Sequence, residues 1–149
     1  MQRGVRIGID VGKSRIGLAR TDPDATMALP VATVAMTDTA VQEISRTIAE
    51  YEPIVIYVGL PLSLNAEHTQ STQFAIDFAQ QLAHISEAPV RLVDERLSTV
   101  SAASTLRATG HTAQSSKGII DQAAAVVILE HALDVEAKQN TFAGQPVGE

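Results

Sequence analysis

The chain has 149 residues, 45% hydrophobic and 19% charged, and contains no cysteine. That is one globular domain's worth of chain, with neither a disulfide framework nor a thiolate metal centre. The net charge of −6 at pH 7 argues against indiscriminate binding to polyanions. No apolar run approaches the roughly eighteen residues of a membrane span. Arg3 and Arg6 lead at once into strand-like alternation rather than a leader pattern. A cytoplasmic protein with no membrane partner is expected.

Val5, Ile7 and Ile9 alternate with Arg6, Gly8 and Asp10, the period of a strand. Gly12, Lys13 and Ser14 form a turn, and Ile16 and Leu18 begin a second apolar run, so a β-hairpin is predicted. Asp10 is the odd residue, a carboxylate closing a hydrophobic strand, where charge is costly without a partner. It either caps the turn by accepting backbone N–H bonds or serves a cation. Thr21 to Ala25 is a turn cluster, and Ala28 to Val34 reads as a third strand, in which Pro30 marks either a sheet edge or the strand's first residue.

Val41, Ile44, Ile48 and Tyr51 form one stripe of a helix that Pro53 ends. Ile54 to Val58 is continuously apolar and β-branched, as a buried parallel strand would be. A polar loop, Ser63 to Thr72, leads to a second helix with the stripe Ala75, Phe78, Ala79 and Leu82. Val90 to Val93 is a fifth strand, followed by a helix over 98–108 with Gly110 after its end. Residues 109–118 have loop composition, and a long apolar helix runs from about Ile119 to Lys138. This order predicts an α/β fold: a mixed five-stranded sheet, antiparallel strands first, then parallel ones, flanked by helices. One domain is expected over 1–138, with a disordered tail over 139–149.

Charge is unevenly spread. Residues 1–20 hold five basic residues and one acid, residues 21–90 one basic residue and nine acids, and residues 91–121 four basic residues and three acids. Asp10 ends the first strand, Asp94 and Glu95 end the fifth, and Asp121 lies in the first turn predicted for the last helix. If strands one and five run parallel, these acids share the sheet edge where ligands bind in open α/β sheets. Hard cations such as Mg²⁺ are held by one or two carboxylates, waters and phosphates. Two such ions clamp the attacking and leaving oxygens of a phosphodiester. Each acid also has an ordinary reading: Asp121 as complement to the helix dipole, and Asp94 or Glu95 as partner of Arg96 or as a helix cap.

GIDVGKSRIGLA, the VGLP of Val58 to Pro61, DERLST and KGIIDQAAAVVIL together resemble the YqgF (RuvX) family. They cover roughly residues 5–135 in the family's order. The resemblance implies an RNase H-like fold and a nuclease with Asp10, Glu95 and Asp121 as catalytic and metal-binding acids, using Mg²⁺ or Mn²⁺. It implies processing of the 5′ end of pre-16S rRNA in ribosome biogenesis, or Holliday-junction resolution. After VGLPL the chain has Ser63, Leu64, Asn65 and Ala66 where many relatives carry Asn and an Asp/Asn-Gly turn, so no substrate contact is assigned to this loop.

Lys13, Arg15, Arg96 and Lys117 are the candidate nucleic-acid contacts. Lys13 and Arg15 could equally be solvated, and Arg96 could orient Glu95 by an ion pair. His111 could shuttle a proton, although a lone loop histidine is more often simply solvated. With five aromatic residues the chain lacks a single-strand stacking platform, which favours a structured RNA or branched DNA. Junction resolution would need a symmetric dimer, and monomer and homodimer both remain open. Two other classes compete: a nucleotide-dependent phosphotransferase, for which one such lobe is insufficient, and a non-catalytic RNA- or ribosome-associated factor.

Overall fold

The sheet grows outward from β1 (Arg6–Val11). Gly12 N–H donates to the Arg15 carbonyl at 2.9 Å and closes a turn into β2 (Arg15–Thr21), which runs antiparallel to β1. A Cβ on Gly12 would stand 2.6 Å from that carbonyl, so the turn needs glycine. β3 (Ala28–Ala35) pairs antiparallel with β2 and forms one edge of the sheet. Pro30 lies in β3 where the register shifts, and an edge strand tolerates its missing N–H. The computed structural model describes residues 2–61, 69–94 and 117–147, except the side chains of 117–120.

α1 (Ala40–Ala49) buries Ala40, Ile44 and Ile48, the face that the apolar spacing predicts. β4 (Val55–Leu60) then enters parallel to β1. α2 (Gln70–Ile85) starts at a capping box in which the Thr69 side chain accepts from the Thr72 N–H, satisfying donors a helix start otherwise leaves open. Its inward stripe of Ala75, Phe78, Ala79 and Leu82 is buried. β5 (Val90–Asp94) pairs parallel with β4. α3 (Lys117–Gln139) is the longest helix described. The helix expected over 98–108 and most of the loop expected before α3 lie outside the described residues.

Helices cover both faces of the sheet. Ile7, Ile9, Ile16, Leu18, Ile56 and Val58 pack with α1 and α2 on one side. Ala19, Val55, Tyr57 and Val93 pack with Ala125, Ile128, Leu129 and Ala132 of α3 on the other. Burying each such large aliphatic chain contributes about 1.5–3 kcal/mol. No described helix is long and apolar enough to cross a membrane.

The sheet has six strands, not five, in the order β3-β2-β1-β4-β5-β6. The sixth, β6 (Gln145–Pro146), comes from the segment expected to be a disordered tail and runs antiparallel to β5. The Arg91 side chain donates to the carbonyls of Ala143 at 2.6 Å and Gly144 at 2.8 Å, and Ala143 is buried. Gly144 has φ +70°, and a Cβ there would collide with the Leu92 carbonyl. The tail therefore returns to the sheet edge, because β5 otherwise leaves a row of backbone groups unpaired.

Candidate active site

β1 and β5 both run parallel to β4, so their carboxyl ends meet at one edge of the sheet. In the ladder Ile9 aligns with Val58, and Val58 with Leu92. Asp10 is the next residue of β1, and Asp94 closes β5. The parallel course expected of the first and fifth strands is therefore present, and it brings Asp10 and Asp94 to the same end of the sheet.

Asp10 pairs with Gly17 of β2, and Gly17 with Thr33 of β3. Directly opposed residues share a face, so these three form a row across the sheet. The early turns of α3 lie on that row. A Cβ on Gly17 would run into the backbone of Asp121, and Gln122 Nε2 donates to Thr33 Oγ1 at 3.0 Å. Gly17 thus admits the helix backbone to the strand beside Asp10, and the two half-buried carboxylates arise from adjoining backbone segments. An isolated glycine within a strand marks such close approach, and Gly17 is that signal in the sequence.

Asp121 is the fifth residue of α3, which starts at Lys117, and the first turn contains no acid. The sequence placed it in the first turn; the earlier helix start moves it out. The dipole effect falls off within that turn, which weakens the ordinary explanation for this acid. Its Oδ2 accepts from Arg15 Nε at 2.8 Å, with the side chains 17% and 40% exposed respectively. Arg15, expected as a phosphate contact or a solvated charge, is thus ion-paired across the hairpin and α3.

Lys13 is exposed at the hairpin turn. The Lys117 backbone opens α3, four residues before Asp121. Glu95, Arg96 and His111 lie outside the described residues, as does the loop from Ser63 to Ala66. Asp94 separates from the other acids by strand parity. Val93 packs beneath α3, whereas Leu92 packs on the α1 and α2 side. Alternation places Asp94 on the Leu92 side, opposite the face shared by Asp10 and Asp121.

Among the described residues no group of three or more His, Cys, Asp or Glu side chains stands close enough to hold a metal. Asp10 and Asp121 nonetheless offer hard oxygen donors on one face, with no side chain at Gly17 between them. Mg²⁺ commonly takes one or two carboxylates and completes its shell with water and phosphate. The donor set fits such an ion.

A second polar group went unread in the sequence. Arg6 is fully buried, donating to Glu136 at 3.0 and 3.2 Å and to the carbonyls of Gly4 and Gln2. Tyr57 Oη donates to Glu136 Oε2 at 2.7 Å and accepts from Ala143 N–H at 3.1 Å. Burial first, then the Glu136 carboxylate, push the Tyr57 hydroxyl above its ordinary pKa. Every charge here is matched inside the protein, so the group joins β1, α3 and the returning tail.

A family model described as "RuvX: Holliday junction resolvase" matches residues 4–135. A protein of Leifsonia xyli subsp. xyli named "Putative pre-16S rRNA nuclease" is 49% identical over 149 residues, covering 99% of this chain and 96% of its own. A protein of the same name from Nocardioides sp. is 43% identical over 155 residues, covering 100% and 99%. Among solved structures, Thermus thermophilus RuvC in complex with a Holliday junction substrate superposes with a TM-score of 0.59 at 17% identity, covering 95% of this chain and 99% of that one. The fowlpox virus Holliday junction resolvase superposes at 0.55 with 12% identity, covering 88% and 99%. These likenesses show the RNase H-like fold of the resolvases.

Proposed function

This chain belongs to the RuvX family of nucleases, and on that footing we propose that it is a Mg²⁺- or Mn²⁺-dependent cytoplasmic nuclease maturing the 5′ end of pre-16S rRNA. The observation that carries the proposal is the row from Asp10 to Gly17 with the Asp121 backbone seated on it. Asp10 and Asp121 would hold the ion, with Glu95 as the third acid. When bound, the ion supplies charge stabilisation for the phosphodiester oxygens and an activated water. The sheet and α3 keep the two carboxylates fixed, the kind of rigid support such a site requires. Lys13, Arg15, Arg96 and Lys117 are assigned to backbone phosphates, which position a substrate without reading its sequence.

A structured RNA suits this surface. Tyr57 is buried and Tyr51 lies 5.1 Å beneath the Arg20 guanidinium, so neither offers a stacking platform. Branched DNA is the second reading, favoured by the description of the matching family model. Purified protein is to be incubated with a pre-16S rRNA fragment and with a synthetic four-way junction, each with Mn²⁺. Cleavage of the RNA is expected; cleavage of the junction alone would reverse the order. Cellular function retained by an Asp10→Asn, Asp121→Asn double variant would instead favour a non-catalytic ribosome-associated role.

A further inference from the structure

We infer that Arg15 is a built-in competitor of the metal: its guanidinium occupies Asp121 and must leave that carboxylate for a divalent cation to bind it. The inference rests on the metal-dependent reading above. Arg15 opens β2 directly after the hairpin turn, its own carbonyl held by Gly12 N–H at 2.9 Å. Among the described residues its side chain makes one polar contact, Nε to Asp121 Oδ2 at 2.8 Å. That contact takes an oxygen a metal would need and puts a positive charge where a second one would be repelled.

The comparison with Arg6 decides whether such a pair can open. Arg6 is fully buried and donates to one carboxylate and two carbonyls, and freeing it would strand a charge inside the protein. Arg15 is 40% exposed and Asp121 17%, so this pair keeps an access to solvent that the Arg6 pair lacks and is held less firmly than that one. Once displaced, a guanidinium beside the exposed Lys13 is free to turn toward phosphate, for which its planar fork is suited. As the structure stands, the same arginine compensates the Asp121 carboxylate.

Calorimetric titration of the full chain with Mn²⁺, without nucleic acid, tests this. Arg15→Gln is expected to bind the ion more tightly than the native protein, on the order of tenfold at low ionic strength, with the gap narrowing as salt is added. Arg15→Lys should lie nearer the native value. In an Asp121→Asn background, Arg15→Gln should give no such gain, since the two residues act as a pair. Equal or weaker binding by Arg15→Gln would overturn the inference and make Arg15 an orienting partner of Asp121. A gain that persists in Asp121→Asn would overturn it too, as an unspecific effect of charge. If the folded native protein and the variants all fail to bind Mn²⁺, the metal reading itself falls and takes this inference with it.

Discussion

Arg6 and Glu136, 130 positions apart in the chain, meet at 3.0 Å with both side chains buried. The pair ties the first strand to the last described helix, and Tyr57 extends it to the returning tail through Ala143. Removing one member of a buried pair leaves the other charge uncompensated, at a cost of about 3–5 kcal/mol. Glu136→Gln keeps the volume while removing that charge. Its unfolding midpoint should fall by on the order of ten degrees, as read by calorimetry. An unchanged midpoint would mean that the carbonyls of Gly4 and Gln2 suffice for Arg6.

Gly17→Ala should damage stability and cleavage together. The added Cβ collides with the Asp121 backbone, and overpacking of this kind costs about 1–3 kcal/mol. The start of α3 must move, and an offset of about 1 Å at a catalytic group can cost on the order of a hundredfold in rate. Gly8→Ala is the comparator. Its Cβ would meet the Ala125 carbonyl at 2.7 Å, and the Leu129 side chain at 3.0 Å, farther along the same helix. It should lower the melting temperature with a smaller loss of rate. Equal rate losses at equal destabilisation would separate Gly17 from any special role in the site.

The alternating apolar pattern of β1, the stripes of α1 and α2, and the β-branched run of β4 were legible because each is a local period. Long-range consequences were not. Arg6 stands at a polar position of β1, yet α3 covers that face and Glu136 compensates the charge. Gln145 and Pro146 carry no strand period; they pair because β5 exposes an edge. Within the site, Asp10 stood out as a charge ending an apolar strand. The partnership of Arg15 with Asp121 spans 106 positions and has no local signature, and the role of Gly17 emerges only when a helix is laid upon it.

Among the described residues, two groups act on opposite ends of the pH response. Asp22 accepts hydrogen bonds from the N–H groups of Met27 and Thr26 and from the Thr26 hydroxyl, and these, Met27 first, hold its carboxyl down at about 2 against an ordinary 3.8. A depressed folded value means stability is present above the unfolded pKa and lost as pH falls from about 4 toward 2. Tyr57 is raised, so its contribution is present below its unfolded pKa of about 10 and lost as pH rises beyond it. Denaturation midpoints measured across pH should therefore decline at both ends. Asp22→Asn should flatten the acid limb only, and an acid limb unchanged in that variant would assign the loss to other carboxylates.

Cleavage itself provides the sharpest test of the acids. Asp10→Asn preserves shape and removes the charge that would hold the cation. Loss of a metal-stabilised transition state costs several kcal/mol, which is roughly a hundredfold or more in rate at about 1.36 kcal/mol per tenfold. Asp121→Asn and Glu95→Gln should fall as far. Combining them should add little, because groups acting as one unit are not additive. Asp94→Asn is the internal control. Its neighbour Val93 packs beneath α3 while Leu92 packs on the other face, so Asp94 points away from Asp10 and Asp121 and its variant should cleave at nearly the native rate. Single-turnover rates with the fold checked by circular dichroism decide the matter. An inactive Asp94→Asn beside an active Glu95→Gln would shift the third acid by one residue. Full activity in all four variants would remove the nuclease reading altogether.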